Sequence, residues 1–529
     1  NGLKIWNNTI QFMSSIGVGF YRVSDSTIMH NRIDWCVRGY SHGFYNRGQD
    51  SAGLLMYEQS SNNVVAYNSI THGGDGLFLW AGQSTMDTGK GGSNDNLFAA
   101  NDFSHAPTNG IEATFSRNRF VQNRVEDSWH GVWGGYSYES RWIGNRFARN
   151  AEGIAIEHGQ QNVITGNTFD RDGMAIRLWQ NATQDPNWGY PKARDTRSRG
   201  YTIEDNAFLG NAVALDIRDT ADVRLWRNRF EAVGERVRMS GVNPGFEDGV
   251  SRREDDAAAL DNEDPPAKLP DGMDPMIKDG ERRGRHTIIV DEWGPYDWKS
   301  PKLWPVLETD GRLPFPRRSR ATGIFDGRVK LNVLGPEGRW KLVSARGASV
   351  TPTEGRVGDV IAVTPRTGSV IDYEIVLSYV GQQVTSPRGV VTPAGKPYTF
   401  SYSRFFAPAD WTIDFFEYPE TVDPVRDARA FAKVLAGKPV KSVKSDRIDY
   451  LSGGAIEEGV ARDRFAFVAL GAVDLPPGDY TLEVISDDGA RVWVDDVLVL
   501  DAWQPHESRV DKVDISGGRR RLKVEYYES

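Results

Sequence analysis

The sequence predicts an all-β chain whose first half is a solenoid, and three recurring features carry that expectation. Asparagines followed two residues later by an apolar side chain recur at Asn68, Asn101, Asn123, Asn145, Asn167, Asn206 and Asn228, in steps of 33, 22, 22, 22, 39 and 22. A second asparagine series, Asn63, Asn96, Asn118 and Asn162, runs five residues ahead of the first. Glycine followed by alternating apolar residues comes about eight residues after it, as "GLFLW", "GIEAT", "GVWGG", "GIAIE" and "GMAIR". The period is therefore 22, and the two long steps are one period plus insertions of 11 and 17 residues, in "AGQSTMDTGKGGS" and "ATQDPNWGYPKARDTRSRG".

Each period holds three short strands between tight corners. Strand-like alternation and frequent glycine exclude helices, and a fixed period of this length means stacked units that cannot bury their apolar side alone. Stacking puts Ile70, Phe103, Val125, Phe147, Phe169, Phe208 and Phe230 in one inward column and lets asparagine amides bond from coil to coil. The pattern resembles the right-handed parallel β-helix superfamily, which includes pectate lyases, polygalacturonases, alginate epimerases and Asn-rich periplasmic carbohydrate-binding repeat proteins. The resemblance covers residues 1–242 and implies the fold. Because the chain opens inside a repeat, the start of the natural protein is expected upstream.

Residues 243–284, "EDGVSRREDDAAALDNEDPPAKLPDGMDP" at their centre, are too charged and proline-rich to fold alone and are expected to be a linker or a surface excursion. Period-two patterning in "GRWKLVSA", "VIAVTP" and "VIDYEIVLSYV" makes 285–402 a β-sandwich. Its Trp293, Trp298 and Trp304 are expected to pack against the β-helix. Residues 403–529 contain "LPPGDYTLEVISDDGARVWVDDVLVLDAW", which resembles the protective-antigen homology domain, a β-sandwich appended to bacterial glycosidases and yeast adhesins. In glycan-binding members of that family the acids matching Asp487 and Asp488 hold a calcium ion that meets sugar hydroxyls, so the resemblance implies Ca2+ here.

Composition narrows the function classes. At 529 residues the chain suggests several domains, and its formal charge of −9 argues against nucleic acid as a partner. No run of about 18 apolar residues is present, so no membrane span is expected. Cys36 is the single cysteine, which excludes an intrachain disulfide and a cysteine zinc site. Together with the resemblances, this points to an extracellular, periplasmic or cell-surface location.

Six of the eight histidines, His30, His42, His72, His105, His130 and His158, fall in the solenoid. His72 and His105 each lie four residues after a ladder asparagine and stack in adjacent coils, with Asp127 in the same place one coil on. Around that corner stand Asp75, Asn109, His130 and Glu152, each just before the glycine of its coil. Glu112, Trp133, Trp80 and Tyr136 are expected outward on the following strand, and Glu112 is the only acid at a position where neighbouring coils have Phe78, Trp133 and Ala155.

Carboxylates are the acid, base or nucleophile of glycosidic cleavage, imidazoles move protons near neutral pH, and aromatic faces cover pyranose rings. The expected catalytic residues are thus Glu112, His130, Asp75, Asp127, His72 and His105. The expected sugar contacts are Trp80, Trp133, Tyr136, Glu157, Arg177 and Trp179, with Glu157, Arg177 and Asp216 forming one outward column of alternating charge. The insertions at 82–94 and 181–199 leave after the same strand and are expected to wall a cleft on either side of three uninterrupted turns. The polygalacturonase words "NTD" and "GHG" and the epimerase word "YGFDPHD" are absent. The expected function is polysaccharide cleavage, hydrolase ahead of lyase or epimerase because Lys4, Lys90 and Lys192 are the solenoid's only lysines. A non-catalytic surface or matrix protein that only holds glycan is the alternative.

Overall fold

The computed structural model describes residues 1–38, 51–184, 188–249, 282, 284–306, 327–366, 368, 370–450, 456–461, 463–506 and 509–528. Two compact units divide them, one running to Asp297 and the other from Trp298 onward.

The first unit is a parallel β-helix. Its coils contribute one strand each to a ten-stranded sheet that begins at Lys4–Trp6 and ends at Glu247–Asp248, and to a nine-stranded sheet between Val18–Tyr21 and Glu235–Ser240. A third face is built from Thr9–Gln11 with Arg32–Asp34, then from five strands between Arg124–Glu126 and Arg229–Glu231, joined by single bridges Arg32↔Ser69↔Asp102↔Arg124. The expected inward column forms in register, Val125↔Phe147↔Phe169↔Phe208↔Phe230. Its phenyl rings stack at 5.1, 5.1 and 4.9 Å from Phe147 to Phe230. A second stack, Phe98, Phe120 and Trp142, fills the core behind the ten-stranded sheet.

Asparagine side chains close the coils. In the main ladder the backbone N–H and the amide of one asparagine both donate to Oδ1 of the next, from Asn8 and Asn31 through Asn68, Asn101, Asn123, Asn145, Asn167 and Asn206 to Asn228. In the second ladder, Ser140 fills the coil between Asn118 and Asn162. Corners turn through left-handed backbone at ordinary residues such as His72, His105, Asp127 and Arg149. Such conformations are costly for a side chain and are held here by coil-to-coil bonds on both sides.

The β-helix runs past the expected boundary at 242, because Glu247–Asp248 still pairs with the ten-stranded sheet. Residues 250–281 and 283 of the expected linker lie outside the described residues, as does His42. Residues 284–297 belong to the helix unit rather than to the sandwich. There Ile288 and Val290 pack with Phe12, Trp35 and Val37. Of the three tryptophans, Trp293 is half-exposed in the helix unit, whereas Trp298 and Trp304 fall in the second unit, so they form no single cluster within either.

The second unit carries two cores. A sandwich of two four-stranded sheets buries Leu331, Val333, Trp340, Ile361, Tyr373, Leu377 and Tyr379, and its last strand, Tyr398–Phe406, crosses the expected boundary at 402. The C-terminal module is a six-stranded antiparallel sheet dominated by Phe465–Ser486 paired with Arg509–Glu528. Alternation along its strands buries both faces, Phe415, Phe467 and Ala469 on one and Ala466, Trp503 and Tyr527 on the other, the latter covered by the helix Ala428–Leu435.

One buried acid sits in a third, shorter ladder. Asn150 donates from its backbone and its amide to Asp172 Oδ1 at 2.7 and 2.9 Å. Asp172 Oδ2 and both amide atoms of Asn211, one coil further, have no hydrogen-bond partner. Burial pushes the Asp172 carboxyl up to about 8, despite the bonds from Asn150. Asp172 thus stands in for an asparagine as an acceptor, and its unpaired second oxygen is better tolerated neutral than charged. The folded chain thus keeps a proton that the unfolded chain releases near 3.8. Stability from this group is full below that value and falls as pH rises toward about 8. Asp172→Asn should remove this slope and raise the melting temperature at pH 8.5 by about 3 °C or more; equal melting curves across the range would show the carboxyl to be ionised and otherwise satisfied.

Candidate functional site

The outer face of the nine-stranded sheet gathers most of the expected residues, because register stacks equivalent positions of successive coils. Its strands begin with Asp75, Asn109, His130 and Glu152 in neighbouring coils, Asn109↔His130↔Glu152 being direct partners. One row further along, Phe78, Glu112, Trp133, Ala155, Arg177 and Asp216 align.

These residues form one polar series. Asp75 Oδ1 accepts the backbone N–H of Asn109 at 2.8 Å, and the Asn109 amide donates to Glu112 at 3.0 Å. That leaves Asn109 Oδ1 as an acceptor for His130 Nδ1, 2.8 Å away. With its proton on Nδ1, the neutral imidazole turns an Nε2 lone pair toward Glu152 Oε2, 3.4 Å distant. Burial raises the Glu152 carboxyl above the ordinary range against the opposing pull of Arg177, whose guanidinium donates to Oε1 at 2.8 Å. Glu152 Oε2 and His130 Nε2 thus lie side by side in the row. Trp129 stacks on the imidazole at 4.2 Å, and Trp133 lies 5.0 Å from it. Asn109 and Trp129 are roles the sequence did not assign, although both flank residues it singled out.

Further along the face, Trp133 and Trp179 have ring centroids 5.6 Å apart, and Arg177 lies over Trp179 at 4.5 Å. Glu157 is not in the column of Arg177 and Asp216. It pairs with Trp179, two residues further along its strand, and accepts from the Trp179 indole and the Asn181 amide. The charge alternation is instead Glu152, Arg177 and Asp216, with Arg177 3.6 Å from Asp216. Counting outward residues placed Glu157 on the right face; only strand pairing fixes the row.

His72, His105 and Asp127 form a separate group. They do stack at one corner, His72 and His105 at 4.7 Å and His105 3.1 Å from Asp127, in a column that continues to Trp35 on one side and Arg149 on the other. Both histidines are buried, however, and the backbone N–H of Gly284 donates to His105 Nδ1, so residues after 283 overlie this column. Burial raises Asp127, but His105 and Arg149 outweigh it and hold the carboxyl well below the ordinary range. These three residues are accordingly not part of an open groove.

The insertions do not wall two sides of a cleft. The helix Gln83–Thr88 of the first and the helix Tyr190–Ala193 of the second meet: a Cβ on Gly189 would lie 1.6 Å from the Asp87 carbonyl oxygen. Together they cover Phe115 and Tyr136, which pack with Met86 and Tyr190 in a small satellite core. Tyr136 lies at a left-handed corner rather than on the strand His130–Trp133, stacks between Phe115 and His158, and gives its hydroxyl proton to Gln184. Burial pushes its phenol far up, so it is unsuited to be a base or a sugar platform.

In the C-terminal module Asp487 and Asp488 follow the strand Phe465–Ser486. The Tyr526 hydroxyl lies between the Asp487 carbonyl and the Glu528 carboxylate, either of which can accept its one proton, and Glu528 is raised by burial and by the charges of Asp488, Asp487 and Asp463 against the opposing Tyr526 bond. Gly489 is required by packing, since a Cβ there would lie 2.2 Å from the Tyr527 ring. These all-oxygen donors suit a hard cation, but among the described residues no three acid, histidine or cysteine side chains converge on one point. Backbone or ligand oxygens would have to complete the shell.

Two family matches agree with this architecture. Residues 89–233 match the family described as periplasmic copper-binding protein (NosD), and residues 426–529 match the PA14 domain. A 79-residue stretch is 29% identical to the anti-sigma-I factor RsgI3 of Acetivibrio thermocellus, covering 14% of this chain and 12% of that protein's length. Among solved structures, an anti-sigma factor domain-containing protein from Clostridium clariflavum is 16% identical, with 45% of this chain and 87% of that one covered at a TM-score of 0.20. PfbA, a surface adhesin of Streptococcus pneumoniae, is 11% identical over 46% and 77% of the two chains at a TM-score of 0.23. No helix among the described residues is long and apolar enough to cross a membrane.

His158 fastens the second insertion to the coils. Its Nδ1–H donates to the Thr196 carbonyl at 2.8 Å and its Nε2 accepts the Asn181 N–H at 3.1 Å, an arrangement only the neutral ring satisfies. Burial lowers its pKa from 6.5, against the opposing influence of the Thr196 bond and Glu157; Tyr136 stacks on the ring, and Asp195 and Arg197 pair with each other on the insertion. The fastening is fully present above 6.5 and is lost as pH falls below it, because the released ring takes up a proton more readily. Limited proteolysis within 181–199 should accelerate several-fold between pH 7.5 and pH 5, and His158→Gln should flatten that response; acceleration unchanged in the variant would place the sensitive group elsewhere.

Proposed function

We propose that this chain is a carbohydrate-active protein of the periplasm or cell surface, which engages a polysaccharide on the outer face of the nine-stranded sheet and hydrolyses it there. The observation that carries the proposal is the chain Asp75–Asn109–His130–Glu152–Arg177, with Glu112 joined at Asn109, running beside the indoles of Trp133 and Trp179. Glu152, whose carboxyl is raised by burial and which faces His130, is suited to give a proton to a leaving glycosidic oxygen. Glu112, half-exposed and bonded to Asn109, is suited to be the base that activates water. Their strands are two spacings apart, roughly 9.6 Å, and the two residues stand in different rows of the sheet.

A lyase or epimerase fits less well. Tyr136 is buried under the insertions, and Arg177 is already engaged by Glu152 and Asp216. A second reading, a glycan-binding protein without catalysis, is favoured by Glu157, whose Oε1 is held by Trp179 and Asn181 as in a structural network. The periplasmic location named for the matching family supports an extracytoplasmic site of action. Copper, also in that family's name, finds no group of three histidine, cysteine or acid side chains among the described residues, and Cys36 is buried.

Two measurements test the proposal. Glu152→Gln and Glu112→Gln should each lower hydrolysis of a responsive polysaccharide by about 10² or more while Trp133→Ala weakens retention on that glycan. A broad panel of neutral and uronic polysaccharides yielding neither reducing ends nor unsaturated product, but retained through Trp133, would establish the binding protein instead. In the C-terminal module, calcium should raise the melting temperature by the mass-action linkage RT ln(1 + [L]/Kd), and Asp487→Ala with Asp488→Ala should abolish the rise. Titration of the wild type with neither heat nor thermal shift would leave these acids as turn residues.

A further inference from the structure

The first three strands of the nine-stranded sheet differ in chemistry from the four that follow. Register places Tyr21, Tyr57 and Trp80 in one outward row and Leu55 and Phe78 beside them. Tyr21 is 52% exposed, Tyr57 and Trp80 are half-buried, and the rings of Tyr21 and Tyr57 stand 5.0 Å apart at 50° to each other, so that neither covers the other's face. On the strands Val18–Tyr21, Ala52–Tyr57 and Asp75–Trp80 the one charged side chain is Asp75, at the opposite end from this row. Arg22, at the adjoining corner, lies over the Tyr21 ring and 3.6 Å from Glu58. From Asn109 onward the same face carries Glu112, His130, Glu152, Glu157 and Arg177.

From this division we infer that Tyr21, Tyr57 and Trp80 form a subsite for uncharged pyranose residues of a glycan lying along the solenoid axis, continuous with the charged cluster. The inference rests on the reading given under Proposed function and adds the substrate's direction, length and charge. Aromatic side chains stepping from coil to coil match the repeat of a stretched hexose chain, and their faces take up the apolar face of a pyranose. Six coil steps separate Tyr21 from Trp179, roughly 29 Å, room for about six sugar units. Among the described residues, a uronate carboxylate in the aromatic half would find no cation except Arg22, which Glu58 already engages, and would lose solvation without a partner. The occupant of this half is therefore a neutral stretch of chain.

Calorimetric titration with cello-, xylo- and manno-oligosaccharides from dimer to hexamer, and with oligogalacturonides of the same lengths, tests this. A neutral hexamer should bind about tenfold or more tighter than its trimer. Tyr57→Ala and, as the exposed position whose loss spares the fold, Tyr21→Ala should each weaken hexamer binding about two- to tenfold and leave the trimer within twofold, whereas Trp133→Ala weakens both. Hexamer binding that is unchanged in both tyrosine variants but lowered in Trp133→Ala would overturn the subsite and leave the proposed function standing. Oligogalacturonides whose affinity depends on Tyr57 would overturn the neutral class, and no binding by any ladder would overturn both the subsite and the reading beneath it.

Discussion

The coil-to-coil asparagine ladder is the interaction on which the rest of the β-helix depends. Each buried amide satisfies two donors of the coil before it and gives its own second proton to a carbonyl one coil back, as Asn123 does to Phe98 and Asn145 to Phe120. A corner of this kind would otherwise bury unpaired backbone groups, at about 1–3 kcal/mol each. Because each ladder position fixes the start of the next strand, the phenylalanine column and the outward rows follow from it. Asp172 takes an asparagine's place as acceptor in the shorter ladder, and burial there raises its carboxyl.

Register then makes chemistry out of repetition. Residues that are 20 or more positions apart in the chain become neighbours one or two strand spacings apart, which turns Asn109, His130 and Glu152 into a polar row and Trp133 and Trp179 into a pair. The hydrogen bond that commits His130 Nδ1 to Asn109 is the element that orients the ring toward Glu152. The insertions extend this by fixing Asn181 and the satellite core at the edge of the same face, held in part by His158. The C-terminal module, with its own two-sided core, stands as an independent sheet that presents acidic side chains at one end.

What the sequence determined by itself was the repeat: its period, its inward column, its ladder and the identity of the C-terminal module. Those are local properties, since every coil must bury the same positions and satisfy the same corner, so each repeat states the pattern again. The histidine stack was legible for the same reason, being a fixed offset from the ladder. What tertiary structure decided was which outward residues meet and which remain open. Glu157 moved from the column of Arg177 to a bond with Trp179 because side-chain rows depend on strand pairing two residues at a time. Tyr136 and the His72–His105 pair were lost to the groove because segments distant in the chain, the paired insertions and the stretch after 283, fold over them. Periodicity specifies where a side chain points, but its exposure is set by long-range packing of aperiodic segments, and no repeat encodes where those come to rest.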